Sequence, residues 1–526
     1  MPNFRGVAPY VCALLSGLLL LVAMPGSGSF WPMVLVGLIP LFYTVQVLSG
    51  RKLALTVLLA GFVHYSFQMY WIVNVLKQYG GLHIIIAVTA LMLLAVYMSL
   101  YLILFALAAR LVFRKQNNFC ILWMLPLLWV GLDWLRSWLF TGLPWMDLGY
   151  ALAGVPLLIQ LADITGHFGI TFLVVQLNLF FFLCLQRLYT YGEKRKLSFL
   201  RDTLPIFCLL LAVGIYSGVR YKNMTNHLAG SDLKQLNVGI VQGNIDQNLK
   251  WNEKLQRHSV DKYLNLTQIL FKDDSPQVVV WPETALPFYP TRSRYTEILK
   301  SATEYYDFSL ITGAPWFEII DLEKKKVNYY NSALMLTPDG TYAGSYHKSH
   351  LVPFGEYVPF KKFFPFIQPL VEAAGDFTAG SVEHPLKWNE SRAGLLICFE
   401  SIFPEISRKW VASGANYLVN LTNDAWYGFS SAPHHTLAMT VFRAVETRRN
   451  LVRSANTGIS GIIDARGELP ERSPLFEPWV AARKIALLEE KTIFVKYGYL
   501  FAPFSFLLSV SFFFFLLLKR KTDSEN

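Results

Sequence analysis

Apolar runs near the length of a membrane-crossing helix recur eight times in this 526-residue chain, and that pattern rules out a wholly soluble fold. They fall at 7–24, 31–48, 53–76, 84–109, 121–135, 168–185, 204–219 and 500–518, against the ~20 residues a helix needs to cross the hydrocarbon core. The fifth and seventh are short. A content of 53% hydrophobic and 15% aromatic residues is likewise too apolar for an ordinary soluble protein. The expectation is a multi-span α-helical membrane domain of about eight helices, seven in residues 1–220 and the last in 498–526 with a short tail. Arg5 and the first run imitate a signal peptide, but no small-x-small cleavage site follows before Trp31, so an uncleaved anchor is expected.

Basic residues set the orientation, because Lys and Arg accumulate on cytoplasmic flanks. Alternate connections carry Arg51 and Lys52, then Arg110, Arg114 and Lys115, then Arg187, Lys194, Arg195, Lys196 and Arg201, and finally Lys519, Arg520 and Lys521. The intervening ones hold only Lys77, Arg136 and Arg220. Both termini are therefore expected in the cytoplasm and residues 221–497 outside it, which in a Gram-negative cell means an inner-membrane protein with a periplasmic domain. The net charge of +11 follows the same logic: residues 221–497 hold 30 Lys and Arg against 29 Asp and Glu, so the excess lies in the membrane part. That distribution argues against a nucleic-acid partner.

Residues 221–497 read as one α/β domain. Strands are expected at 236–242, 278–281, 309–312, 394–398, 417–420 and 451–454, and helices at 253–271, 294–306, 404–413 and 436–449. Pro338-Asp339-Gly340 and Ala465-Arg466-Gly467 are hairpin turns by composition. A layered sandwich with helices outside follows. In the membrane part, Trp134, Arg136, Trp138 and Thr141-Gly142-Leu143-Pro144-Trp145 fit either an interfacial aromatic belt or a re-entrant segment that helps to seat a lipid.

Cys398 is the only cysteine in residues 221–497; Cys12, Cys120, Cys184 and Cys208 lie in apolar stretches. A lone thiol in such a domain is a small buried hydrophobe or a nucleophile, and Gly394-Leu-Leu-Ile-Cys398-Phe-Glu400 favours the second. Acyl transfer through a thiol needs a base, a cation or donors facing the developing oxyanion, and the sulfur itself. Glu283 in Trp281-Pro282-Glu283-Thr284, Lys348 in Tyr346-His347-Lys348-Ser349-His350, and Cys398 supply these at or beyond expected strand ends. Taken singly they read as a solvated carboxylate, a surface charge and a core residue. His347, His350, His434 and His435 lack a ligand pattern for a metal, and no cofactor is indicated.

With those three segments the chain resembles the nitrilase, or carbon-nitrogen hydrolase, superfamily, whose glutamate, lysine and cysteine triad sits on an αββα sandwich. With membrane spans on both sides it resembles the apolipoprotein N-acyltransferases over nearly its whole length. Further matching segments are Val241-Gln242-Gly243-Asn244-Ile245, Lys250-Trp251, Phe354-Gly355-Glu356-Tyr357-Val358-Pro359 and Leu421-Thr422-Asn423-Asp424-Ala425-Trp426. The resemblance implies a phospholipid acyl donor, a cysteine thioester, and a diacylglyceryl apolipoprotein whose N-terminal amine accepts the chain. It casts Glu283 as general base and Lys348 as oxyanion partner, gives Glu356 and Glu400 supporting roles, and makes Trp251 and Trp426 pocket residues. Phe399 stands where the family often has Tyr.

The rings of Phe354, Tyr357, Phe360, Phe363, Phe364 and Phe366 around Lys361 and Lys362 fit a buried flap or a mobile lid in which Phe363 and Phe364 meet substrate. Two other functions remain to be weighed: a membrane-tethered amidase or nitrilase-type hydrolase that delivers the acyl group to water, and a transporter or scaffold suggested by His64, Gln68 and Asn74. Eight spans exceed what an anchor needs, and neither an internal repeat nor a damaged triad supports a transporter. A monomer is expected.

Overall fold

The computed structural model describes residues 4–115, 117–190, 196–246, 256–359 and 377–525. They form two compact units, one comprising residues 1–73, 82–220 and 499–526, the other 74–81 and 221–498. Six described helices are long and apolar enough to cross a membrane, and a bent pair makes a possible seventh. The six belong to helices Phe4–Ala23, Ile84–Arg114, Asn118–Arg136, His167–Thr190, Lys196–Leu228 and Phe501–Glu525.

Two expected spans take other shapes. Residues 31–48 form a 3-10 turn at Trp31–Leu35 and a nine-residue helix at Ile39–Val47. Pro32 and Pro40 each start a helical piece, because proline lacks the N–H that would continue a preceding turn. The run at 53–76 divides into Gly50–Gln68 and Trp71–Tyr79, bent by 54°, and its end from Asn74 onward groups with the second unit.

Within the first unit, small residues let helices approach closely. A Cβ on Gly61 would lie 2.6 Å from Ser99 Oγ, and one on Gly131 would lie 2.8 Å from Phe506 Cα. Arg136, expected near the lipid headgroups, is instead 3% exposed. Its guanidinium lies 3.1 Å from Asp133 and also contacts Asp147, whose other oxygen is 2.9 Å from His167 Nε2. Trp145 is fully buried, 4.8 Å from Trp71, so it is no belt residue; Trp138 is exposed. The charges pin the segment after Asn118–Arg136 against the helix that begins at His167.

In the second unit the strands are β1 (Gln235–Gln242), β2 (Val278–Val280), β3 (Ser309–Asp321), β4 (Lys326–Leu336), β5 (Tyr342–His347), β6 (Leu386–Trp388), β7 (Ser391–Ile397), β8 (Tyr417–Thr422), β9 (Leu451–Ala455), β10 (Gly461–Ile463) and β11 (Trp479–Ala486). They make a six-stranded sheet, β11-β1-β2-β3-β4-β5, and a five-stranded sheet, β10-β9-β8-β7-β6. Helices Gln256–Asp273, Tyr295–Tyr306, Pro404–Ala412 and Ala432–Thr447 connect parallel neighbours β1-β2, β2-β3, β7-β8 and β8-β9. Central strands are covered on both faces, so β2, β8 and β9 are buried at every residue instead of alternating. Ser454 Oγ, on β9, donates to the carbonyl of Val241 or Val280, at 3.3 and 3.2 Å, and so joins the two sheets. A core of Val260, Tyr263, Leu270, Trp281, Leu299 and Leu310 fills the space between the first sheet and its helices.

The Pro338 turn joins β4 to β5 as expected. The Ala465 turn is present, but the chain beyond it returns to β10 only through one bridge, Gly461 to Arg472. Replacing Asp147 with Ala removes one of two carboxylates from a buried guanidinium. Breaking such a pair typically costs about 3–5 kcal/mol, so Asp147→Ala is expected to lower the unfolding temperature in detergent clearly, while Asp339→Ala in an exposed turn leaves it near wild type.

Candidate active site

The chemistry-bearing residues follow the carboxyl ends of strands in both sheets, where α/β folds commonly place their sites. Glu283 follows β2, Lys348 follows β5, Cys398 follows β7, and Asp424 and Trp426 follow β8.

Each is held by a tight local structure. Cys398 lies between β7 and a 3-10 turn, Cys398–Ile402, with φ +52. A left-handed non-glycine residue costs on the order of 1–3 kcal/mol unless its surroundings impose it. Here it turns the side chain out of the strand and leaves the backbone N–H of Phe399 at the start of a helical turn. The Glu283 turn is strapped to β3: Trp281 N donates to Ile311 O at 2.9 Å, and Leu286 N to Gly313 O at 3.1 Å. Gly313 is required by this approach, since a Cβ there would sit 2.4 Å from Thr284 N and 2.7 Å from Glu283 Cα.

Lys348 is 1% exposed, and its Nζ lies 2.9 Å from Glu356 Oε2. Asn331, on β4, donates through Nδ2 to Glu283 Oε1 at 2.8 Å and to Glu356 Oε1 at 2.9 Å. Its carbonyl accepts from Lys348 N at 2.9 Å. A single asparagine thus spaces the two carboxylates. The lysine sits beside them.

Glu400 is fully buried and binds backbone N–H groups and the hydroxyls of Tyr346 and Ser349. Its Oε1 accepts from Tyr346 Oη and Ser349 N, both at 2.7 Å, and from His350 N at 3.1 Å; Oε2 accepts from Ile397 N at 2.8 Å. It ties the loop carrying Lys348 to the strand carrying Cys398. Burial pushes its carboxyl up from the usual glutamate value, against the hydrogen bonds it receives.

Burial and then the Glu283 carboxylate raise the Cys398 thiol well above an ordinary cysteine, while Lys348 works in the opposite direction. Burial alone would discharge Lys348, but Glu356, Cys398 and Glu283 offset it and raise its pKa above the lysine value. The resting arrangement is therefore a neutral thiol beside a permanent ammonium. His350 is pushed down to about 4 by burial and by Lys348, which leaves it neutral. Among the described residues no group of three His, Cys, Asp or Glu stands close enough to hold a metal ion.

The N-terminal domain model of apolipoprotein N-acyltransferases matches residues 16–180, and the carbon-nitrogen hydrolase model matches residues 237–488. An apolipoprotein N-acyltransferase of Geobacter metallireducens is 38% identical over 506 residues, covering 95% of this chain and 94% of the relative. The chain belongs to the apolipoprotein N-acyltransferase family. Further relatives bearing that name come from Haemophilus influenzae, 31% identical with 92% of this chain and 90% of the relative covered, and Methylococcus capsulatus, 31% with 82% and 81%. A solved carbon-nitrogen hydrolase from Helicobacter pylori is 17% identical over 48% of this chain and 89% of that one, with a TM-score of 0.36. Like its family, this chain is a membrane protein with a nitrilase-like domain.

Around the three central residues of this family member, the other expected contacts divide. The Trp426 ring packs edge-on against Tyr79 at 4.7 Å, and Tyr79 Oη donates to Ala425 O at 3.0 Å. Phe399 is buried in a cluster with Phe403 and His350, at 5.2 and 6.0 Å. Trp251, Phe363 and Phe364 lie outside the described residues. Sequence reading passed over Asn331, for want of a predicted strand around it, and over Tyr427, close enough to Cys398 and Glu283 for their charges to raise its phenol, after burial. Tyr79 lies just past the apolar run at 53–76, after Lys77 and Gln78, with no local signal to mark it.

Two outcomes follow. Gly313→Ala is expected to displace the Glu283 turn and slow acyl-enzyme formation at least tenfold, measured with labelled donor, while the protein still folds. Lys348→Met removes the cation that lowers the thiol pKa, so the pH at which Cys398 becomes reactive toward iodoacetamide is expected to rise.

Proposed function

We propose that this chain transfers an acyl group from a phospholipid, through a thioester on Cys398, to the N-terminal amine of a diacylglyceryl-cysteine apolipoprotein. What carries the reading is the meeting of a buried carboxylate, a buried ammonium and a thiol at strand ends, in a chain related to apolipoprotein N-acyltransferases over 95% of its length.

In the first half-reaction Glu283 takes the Sγ–H proton as sulfur attacks the ester carbonyl carbon. The oxyanion faces the Lys348 ammonium and the Phe399 N–H. Collapse breaks the ester C–O bond, Glu283 returns the proton to the leaving oxygen, and a lysophospholipid departs. In the second half the amine attacks the thioester, Glu283 accepts its proton, the C–S bond breaks, and Glu283 returns that proton to the leaving sulfur, which regenerates both thiol and carboxylate. Loss of a general base typically slows such a step by about 10²–10⁴ and loss of an oxyanion donor by about 10²–10³. Glu356 keeps Lys348 charged and in place, and Glu400 holds the loop and the nucleophile in register.

The basic flanks favour an inner-membrane protein with both termini cytoplasmic and residues 221–497 as its periplasmic catalytic domain. The protein is taken to work as a monomer. A thioester that must survive until an amine arrives calls for a site that holds water off, and the burial of Glu283 and Lys348 supports that reading over transfer to water.

Incubation with acyl-labelled phospholipid is expected to give a hydroxylamine-labile adduct on wild type and none on Cys398→Ala. A diacylglyceryl lipopeptide should discharge it with the label recovered as amide. Labelling of Cys398→Ala would overturn the nucleophile, and discharge by water but never by the amine would make the protein a hydrolase.

A further inference from the structure

The second sheet carries a buried polar chain that the reaction above leaves unused, and it ends beside the sulfur. Strands β7 and β8 run parallel with Ile397 opposite Leu421, so the next residues on the two strands, Cys398 and Thr422, are lateral neighbours at their carboxyl ends. Thr422 is 2% exposed, and its Oγ1 lies 3.0 Å from Asp424 Oδ1. Asp424 Oδ2 lies 2.9 Å from Arg453, a fully buried guanidinium that also donates to Thr436 Oγ1 at 3.1 Å and, through Nε, to Ile459 O at 3.0 Å. The carboxylate is seated against Gly458, where an added Cβ would sit 2.0 Å from its Oδ2 and displace it. The arginine fixes the aspartate, and the aspartate fixes the threonine hydroxyl.

We propose that Thr422 is a positioning residue for the nucleophile, its hydroxyl anchored by Asp424 and turned to hydrogen-bond the Cys398 sulfur once the thiol has lost its proton. The proposal rests on Cys398 being the nucleophile. A hydroxyl has one proton to donate and two lone pairs. While the thiol is neutral, that proton goes to Asp424 and the S–H is left to face Glu283. When Glu283 removes the proton, a rotation about the Cβ–Oγ1 bond sends the hydroxyl proton to the thiolate, with no movement of heavy atoms. The β-branched side chain is stiff about χ1, so its oxygen stays where the strand places it. The hydroxyl also stands against the Asp424 charge, which works to raise the thiol pKa while the threonine contact lowers it.

The test uses the full-length protein in detergent. The rate of Cys398 alkylation by iodoacetamide is followed from pH 6 to 10 by mass spectrometry of its peptide, beside the rate of labelling by acyl-labelled phospholipid. A hydrogen bond to a charged group is worth about 10- to 100-fold. Thr422→Val and Thr422→Ala are expected to move the alkylation curve to higher pH by about one unit and to slow labelling by about that factor, and Thr422→Ser to restore both. The proposal is overturned if both non-hydroxylic variants keep the wild-type curve, whether labelling is unchanged, as for a spectator, or lost, as for a purely structural residue. It is also overturned if Thr422→Ser behaves like Thr422→Val. Labelling of Cys398→Ala, by contrast, would sink the nucleophile assignment itself.

Discussion

An ammonium shut away from water has to be matched by nearby charge, and Lys348 meets that condition first through Glu356, 2.9 Å away, with Glu283 adding to it. Much of the catalytic unit serves the pair. β4 runs deep enough to bring Asn331 between Glu356 and Glu283, and the loop after β5 folds back so that Val352 N can donate to Glu356 at 2.8 Å. The same low-dielectric setting keeps the thiol protonated at rest. A site built this way is quiet until a substrate arrives with an electrophile for the sulfur and a base takes its proton.

The legible part of the site was the part written in local sequence. Glu283 and Cys398 each follow a short β-branched or aliphatic run, and a run that ends in a turn predicts a strand end whether or not its partners are known; Lys348 follows Tyr342–His347, a polar and aromatic strand that composition does not mark, and stood out only through the local motif around it. Asn331 was illegible for the opposite reason. Its function comes from being halfway along a long strand, Lys326–Leu336, whose polar and aromatic residues give no clean alternation. β11, which closes one edge of the first sheet, was missed as well: Trp479–Ala486 carries Arg483 and Lys484 on an edge where charge is tolerated. Glu400 was given a supporting role without its means, because sequence gives proximity to the thiol and not the backbone donors that converge on the carboxylate.

In the membrane unit, composition located the apolar segments and proline decided their form. Hydropathy averaged over 31–48 is that of a span, yet two prolines divide it into a turn and a short helix. Arg136 shows a related limit. An arginine beside tryptophans suggests an interface on composition alone, and only the positions of Asp133, Asp147 and His167 reveal that the charge is internal.

One consequence concerns how damage spreads. Glu400 gathers donors from both the lysine-bearing loop and the strand that ends in the nucleophile, so the two halves share a single fastening. Substitutions made separately at either end strain the same knot, and their combined effect should fall short of the sum. Catalytic competence in this domain is then held collectively, and the sulfur's partners lose their places together.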